Sequence, residues 1–397
     1  MKAAPLAEFV AIAAAMISLV ALSIDAMLPA LPDIGQEFAL SDNNDQQLVI
    51  TLLFLGLGIG QLVYGPMSDA TGRKPAIYTG FFIFFIGTVI CLFAPTFNLM
   101  LVGRFLQGLG AASPRIVMMA VIRDRFQGTT MAQVMSFIMA VFILIPALAP
   151  LMGQGILLLG SWHMIFLVIL IYGLVTLTWF ALRQPETLAP ENRNGLTPRD
   201  FLTGIKFIAG EKLTVGAILV MGMVFGGFVG YLGSAQQIFV DHYQTGKAFP
   251  FYFAMIALAI GFASIVNSKL VVRYGVNSVS MSALIIQTIL SAIMLPIFIL
   301  VFQNHPPLWL FLTYCLPLFF SLGLQFGNLN ALAMKPLGHI AGLGASVCGA
   351  VSTTLAVPVG TLVGQAYDGT PVPLTAAFLV FGIVGSLIFY RLCREND

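Results

Sequence analysis

Along most of the chain, apolar residues run for about 20 positions before a polar or Gly/Pro break interrupts them. A helix of that length crosses a hydrocarbon core of about 30 Å, whereas barrel strands alternate over about 10 residues. Twelve helices are predicted, at residues 8–32, 46–66, 76–94, 99–122, 132–156, 162–183, 213–236, 248–270, 277–303, 307–331, 341–364 and 373–391. The chain is therefore expected to be an all-α membrane protein with 12 transmembrane helices. The only long polar interval between spans, 184–212, separates an N-terminal six-helix bundle (1–183) from a C-terminal one (213–397). Within this cytoplasmic linker, Thr197-Pro198-Arg199-Asp200 is a helix start, and Phe201, Leu202, Ile205, Phe207 and Ile208 predict a short amphipathic helix at the membrane surface.

Composition agrees with that pattern: 59% of residues are hydrophobic and 9% charged, against about a quarter charged in soluble domains. The apolar run after Lys2 continues to Pro32, too long for a secretory leader, so a retained first helix is expected. With the N-terminus cytoplasmic, fifteen of the 18 Lys and Arg fall on the inner side and Lys247 alone on the outer. That asymmetry places both termini in the cytoplasm. The net charge of +2 carries no nucleic-acid signal, and nothing basic clusters with aromatics. Cys91, Cys315, Cys348 and Cys393 lack metal-ligand spacing, so neither disulfide nor metal is expected. His163, His242, His305 and His339 lie at span ends or in connections, which argues against a histidine proton relay.

Four stretches carry more than topology. After the second span, "GPMSDATGRKP" places Gly65, Asp69, Gly72, Arg73 and Lys74 in a tight connection. Gly65 allows close helix approach, Gly72 allows a turn, and Asp69 can face a helix N-terminus or a basic group. The spacing resembles the G-x-x-x-D-x-x-G-R-[KR] signature of the major facilitator superfamily. The fourth span matches that superfamily's R-x-x-Q-G-x-G-A-A pattern at Arg104, Gln107, Gly108, Gly110, Ala111 and Ala112. In the fifth span Pro146, Pro150, Gly153 and Gly155 resemble the Pro/Gly segment of its drug:proton antiporters, and such residues loosen a helix and admit a close neighbour. "SIDAMLPALPDIG", with Arg123-Asp124, is similar to the Bcr/CflA branch of those antiporters. The second half departs further: "SKLVVRYGVNS" keeps Gly275 but has no acid.

Inside the spans, Arg104 and Arg115 stand where an arginine costs roughly 2.5–3.5 kcal/mol on insertion scales. Asp25 is the only acid well within a span. It lies about 27 Å along the first helix from the inner side, and Arg104 about 28 Å along the fourth. The two are expected to pair, with Gln107 completing the hydrogen bonding and Asp25 able to exchange a proton as its exposure changes. The alternative is a permanent ion pair fastening two helices. Arg115, eleven residues beyond Arg104, is expected on the same face and in the same substrate cavity, with Gln107 and with Gln61 as a neutral partner; the alternative is an arginine that snorkels to backbone carbonyls. Two arginines and one carboxylate would leave that wall positive and favour neutral or anionic substrates over cations. In the second half, Phe225, Phe228, Tyr231, Gln236, Gln325 and Asn328 suit a mostly apolar small molecule.

The resemblance implies a major facilitator fold in a bacterial inner membrane and a proton-coupled antiporter exporting small hydrophobic drugs by alternating access. It further implies a monomer needing protons, lipid bilayer and substrate as partners, with no cofactor and no nucleic acid. A proton-linked or passive importer of a metabolite on the same fold is the alternative, and a non-transporting receptor or scaffold a second one. No nucleophile–base or phosphate-binding motif suggests an enzyme.

Overall fold

The computed structural model describes residues 5–193 and 198–396. Among them there is no strand. The helices are α1 (Leu6–Asp25), α2 (Leu31–Glu37), α3 (Leu48–Thr71), α4 (Arg73–Phe93), α5 (Phe97–Arg125), α6 (Gly128–Leu157), α7 (His163–Arg183), α8 (Pro198–Gly210), α9 (Lys212–Gln236), α10 (Phe249–Tyr274), α11 (Val276–Pro296), α12 (Leu308–Met334), α13 (Ala341–Gln365) and α14 (Val372–Asn396). Eleven helical stretches among the described residues are long and apolar enough to cross a membrane. The 30-residue α6 is a further long helix, with an apolar section at Leu144–Leu157. The twelve expected spans are thus all helical, with boundaries shifted by a few residues.

One span differs from its expectation. The first run is not a continuous helix over 8–32: α1 ends at Asp25, a turn and a short 3-10 segment (Leu28–Ala30) follow, and α2 continues. Pro29 supplies no N–H to the carbonyl of Asp25 four residues earlier, which explains the break in the ladder. Asp25 therefore sits where the regular ladder of α1 tightens into a 3-10 turn, the backbone staying right-handed helical through a span that runs from Leu6 to Glu37.

Contacts divide the chain into two compact units: the residues up to Ala39 with Leu52–Gly204, and Leu40–Thr51 with Ile205–Asp397. In the first unit α5 is gripped on two sides. Toward α4, Gly103 and Gly110 meet Gly80 and Gly87, so the backbones touch without side chains between them. Toward α3, a β-carbon at Gly108 would collide with the Leu53 carbonyl. In the second unit α9 offers Gly222, Gly226 and Gly230 at four-residue spacing to Leu355, Val359 and Val363 of α13. Small residues at this spacing are the means by which membrane helices gain van der Waals contact, since lipid supplies no hydrophobic drive for helix pairing. The helix α8 buries Ile208 and leaves Arg199, Asp200 and Lys206 exposed.

The α5 packing yields a direct test. Gly108→Leu forces a side chain into the α3 backbone and should destabilise the protein by about 3 kcal/mol or more. Gly155→Ala, at a position with nothing within 4 Å, should be neutral. Thermal unfolding in detergent should separate the two variants by several degrees or more.

Candidate functional site

Arg104 is completely buried on α5. Its Nη1 donates to Gln107 Oε1 at 2.5 Å and its Nη2 to the Ser23 carbonyl at 2.9 Å. Gln107 Nε2 donates to Thr88 Oγ1 at 3.0 Å, and that hydroxyl donates to the Phe84 carbonyl at 2.7 Å. Because guanidinium can only donate and a carbonyl can only accept, the direction of every bond in this relay is fixed. The Phe166 ring lies 5.7 Å from the guanidinium carbon and adds a cation–π contact. Gln107 thus plays its expected part as a partner of Arg104.

The expected Arg104–Asp25 ion pair is not formed. Arg104 reaches the backbone of Ser23, two residues earlier, and among the described residues no hydrogen bond or ion pair engages the Asp25 carboxylate. Path lengths along two helices placed both residues at one level; they could not reveal that Arg104 is satisfied by Gln107 and by the Ser23 carbonyl instead of by Asp25. Asp25 remains buried, at 5% exposure. Beside it α6 approaches closely, because Gly153 has no β-carbon to strike the Ala26 carbonyl. Pro146 and Pro150 lie within α6, whereas Gly155 borders open space and has no packing role. Arg115 is half-buried and Gln61 buried, and neither stands free of partners.

At the far end of this unit the "GPMSDATGRKP" connection forms a closed polar cage. Gly72, at φ 108°, makes the turn into α4, a conformation glycine adopts without strain. Arg73 is buried and donates to Asp124 through Nε (2.8 Å) and Nη2 (3.2 Å), and through Nη1 to Asp69 (2.5 Å) and Ser68 Oγ (2.9 Å). The Gly65 carbonyl accepts from the Ser68 hydroxyl. Lys74 Nζ donates to the carbonyls of Ala181 and Gln184 at 3.2 and 2.9 Å. Asp124 also accepts from Thr187.

Glu186, which the sequence reading left inside a linker, is the cap of α4. Its carboxylate accepts from the backbone N–H groups of Arg73, Lys74, Thr187 and Leu188 at 2.9–3.0 Å. Partial burial pushes its pKa up, but the four backbone hydrogen bonds, from Leu188, Lys74, Arg73 and Thr187, outweigh that and hold it below the usual carboxylate range. The sequence offered a signal in the acid just after the sixth span, yet a cap supplied from more than a hundred residues away leaves no local spacing to read.

In the second unit the aromatic residues named from the sequence fall into two groups. Phe225 and Phe228 stack at 6.0 Å and meet the edge of Phe326 at 6.0 and 5.9 Å, and all three are half-buried. Phe326 sits in an apolar run where nothing local distinguishes it from its neighbours. Tyr231 is buried against Phe253 and Phe319. Asn328 is engaged with Asn267 in a reciprocal amide pair of 2.8 and 3.0 Å. Gln325 donates to Gln287, which donates to the Phe378 carbonyl, leaving Gln325 Oε1 buried with no partner, as is Gln236 Oε1. The Asn267–Asn328 and Gln287–Gln325 pairs link neighbouring helices, and Gln236 is buried. His163 begins α7, His242 ends a wide helical turn and His305 lies in a connection, while the side chain of His339 lies outside the described residues.

Comparison with known proteins places the chain in a family by its sequence and its fold. The model of the Major Facilitator Superfamily matches residues 13–361. An uncharacterized MFS-type transporter, YdgK, of Bacillus subtilis (strain 168) is 30% identical over 380 residues, covering 94% of this chain and 92% of its own. The bicyclomycin resistance protein homolog of Haemophilus influenzae is 26% identical over 386 residues, covering 94% and 93%. Among solved structures, a partially occluded inward-open xylose transporter XylE of E. coli has a TM-score of 0.75 at 12% identity, covering 97% of both chains, a likeness of fold alone.

The cage gives a second test. Glu186→Gln should cost about 1–2 kcal/mol at neutral pH, the loss of a charged helix cap. A carboxylate whose folded pKa is depressed stabilises above its unfolded value near 4.3 and loses that contribution as pH falls through the folded value. The gap between wild type and Glu186→Gln in thermal unfolding should therefore close as pH is lowered below about 4.

Proposed function

This chain belongs to the major facilitator superfamily, a multi-pass membrane transporter and not an enzyme, and from that premise we propose that it exports small hydrophobic compounds in exchange for protons. In this reading both termini face the cytoplasm of a bacterium, the protein acts as a monomer in the inner membrane, and the two six-helix bundles alternate access. The observation that carries it is Asp25. A carboxyl group buried at the break of the first span, with no cation paired to it among the described residues, gains and loses a proton without an ion pair first being broken. Arg104 holds the carbonyl of Ser23 and thereby the helix end that presents Asp25, so it acts as a positioning residue. The contact of Gly153 with Ala26 lets bending of α6 at Pro146 and Pro150 reach this carboxyl group.

The likeness to a bicyclomycin resistance protein homolog supports efflux over uptake. The half-buried Phe225, Phe228 and Phe326 offer an apolar surface to such a compound. The cage of Asp69, Arg73 and Asp124 is the cytoplasmic gate in this reading, tightening and loosening with the state of the transporter.

An efflux-deficient bacterium expressing the protein should gain resistance to some among phenicols, bicyclic peptides, fluoroquinolones and lipophilic cations. Asp25→Asn should abolish export driven by a pH gradient in vesicles while insertion and substrate binding persist; full gradient-driven transport by this variant would remove Asp25 from the mechanism. Arg115→Gln removes a positive charge from α5. It should improve recognition of a lipophilic cation and weaken that of an anionic or acceptor-bearing drug by roughly ten- to a hundredfold in binding. Equal weakening of both would mark Arg115 as structural.

A further inference from the structure

The segment Leu40–Thr51 belongs to the second unit, yet from Leu52 onward the same helix α3 belongs to the first. What fixes the segment to the second unit is a cluster of side-chain amides. Gln47 is 3% exposed, and its Nε2 donates to Gln237 Oε1 at 2.6 Å and to the Gly364 carbonyl at 3.1 Å. Gln237, also buried, donates through Nε2 to Asn44 Oδ1 at 3.0 Å. Asn44 donates to the Tyr367 carbonyl at 2.9 Å, and Gln365 returns a bond to the Asn44 carbonyl at 3.1 Å.

The seat is shaped for the Gln47 side chain. A β-carbon at Gly364 would collide with Gln47 Oε1, and one at Gly233 would lie 3.0 Å from it. Regular α9 gives way after Gln236 to a wider helical turn over Gln237–His242, which brings Gln237 to Gln47. Wide turns of this kind often mark functional positions in helices. Gln237 and Asn44 also line a polar cavity of about 520 Å³, so solvent stands beside the cluster.

We propose that Gln47 is the bolt of a neutral latch: its amide, seated between Gly233 and Gly364, holds residues 40–51 against the second unit and withdraws when the transporter opens on this face. The face is the outer one under the orientation proposed above, and that word alone rests on it. A helix that begins in one unit and continues in the other cannot remain seated in both while the units change their relation. The bond pattern fits a reversible bolt. Neutral amides make bonds of modest net strength in a seat water can reach, whereas separating a buried ion pair leaves uncompensated charge. The latch also carries no charge of its own, so its closure does not compete with proton movement at Asp25.

Thiol accessibility tests this without any transported compound or proton gradient, so its failure is distinct from failure of the export reading. Thr51, one turn beyond Gln47 and 6% exposed, is replaced by cysteine in a Cys393→Ser background, and its labelling by a membrane-impermeant maleimide is timed in detergent and in vesicles. Gln47→Leu, which keeps bulk but cannot hydrogen-bond, and Gly364→Ala, which displaces the amide, should each speed labelling about tenfold, the shift that losing one or two buried hydrogen bonds produces. Gln47→Glu supplies an internal control for folding, because one sample is read at two pH values. As a carboxylate it faces two acceptors, Gln237 Oε1 and the Gly364 carbonyl, and opens; protonated, it can donate and reclose. Its labelling should therefore rise from mildly acidic to mildly alkaline pH by more than that of the parent, which shares the neighbouring Asp42, Asp45, Asp241, His242, Tyr367 and Asp368. Unchanged labelling in the Leu and Ala variants, or no excess pH dependence in the Glu variant, would overturn the latch.

Discussion

A guanidinium sealed inside a bundle of apolar helices must have its donors met by the protein, because neither lipid nor water will meet them. Arg104 sets that demand for the first unit. Gln107, one turn along α5, accepts one donor, and the Ser23 carbonyl on α1 accepts another. Thr88 then orients Gln107 from α4. Three helices are tied through one charge, and Asp25 is left at the edge of the tie, outside its hydrogen bonds. A buried cation satisfied by neutral oxygens holds its neighbours in place without engaging the Asp25 carboxylate.

Reaching those partners requires backbones to come close, and glycine makes this possible. Gly103, Gly108 and Gly110 let α5 lie against α4 and α3 with no side chain between. The signature R-x-x-Q-G-x-G-A-A therefore contains two physical parts: an arginine and a glutamine that need partners, and small residues that bring the partners within reach. Gly153 performs the same service for α6 beside Ala26.

The units differ in the chemistry of their polar clusters. The first concentrates ions at one end, where Arg73 joins Asp69 and Asp124 and Glu186 caps α4. The second relies on amides: Asn267 with Asn328, Gln287 with Gln325, and Gln47 with Gln237. Amides can donate and accept at once, so they chain across helices without the desolvation cost of a charge.

The sequence by itself determined the helices, their order and the loop at Gly72, because twenty-residue apolar runs and Gly/Pro breaks are local signals set by bilayer thickness and backbone sterics. It also singled out Arg104, Gln107, Asp69 and Arg73, since charge in an apolar run and close-spaced motifs are visible in one dimension. Pairings were another matter. That Arg104 binds the Ser23 carbonyl and not Asp25, that Asn328 is occupied by Asn267, and that Glu186 caps a helix begun at Arg73 all depend on where chain segments far apart in sequence come to lie. For the first of these, a residue count gives distance along a helix, but which acceptors a guanidinium meets is fixed only when the neighbouring helices close around it.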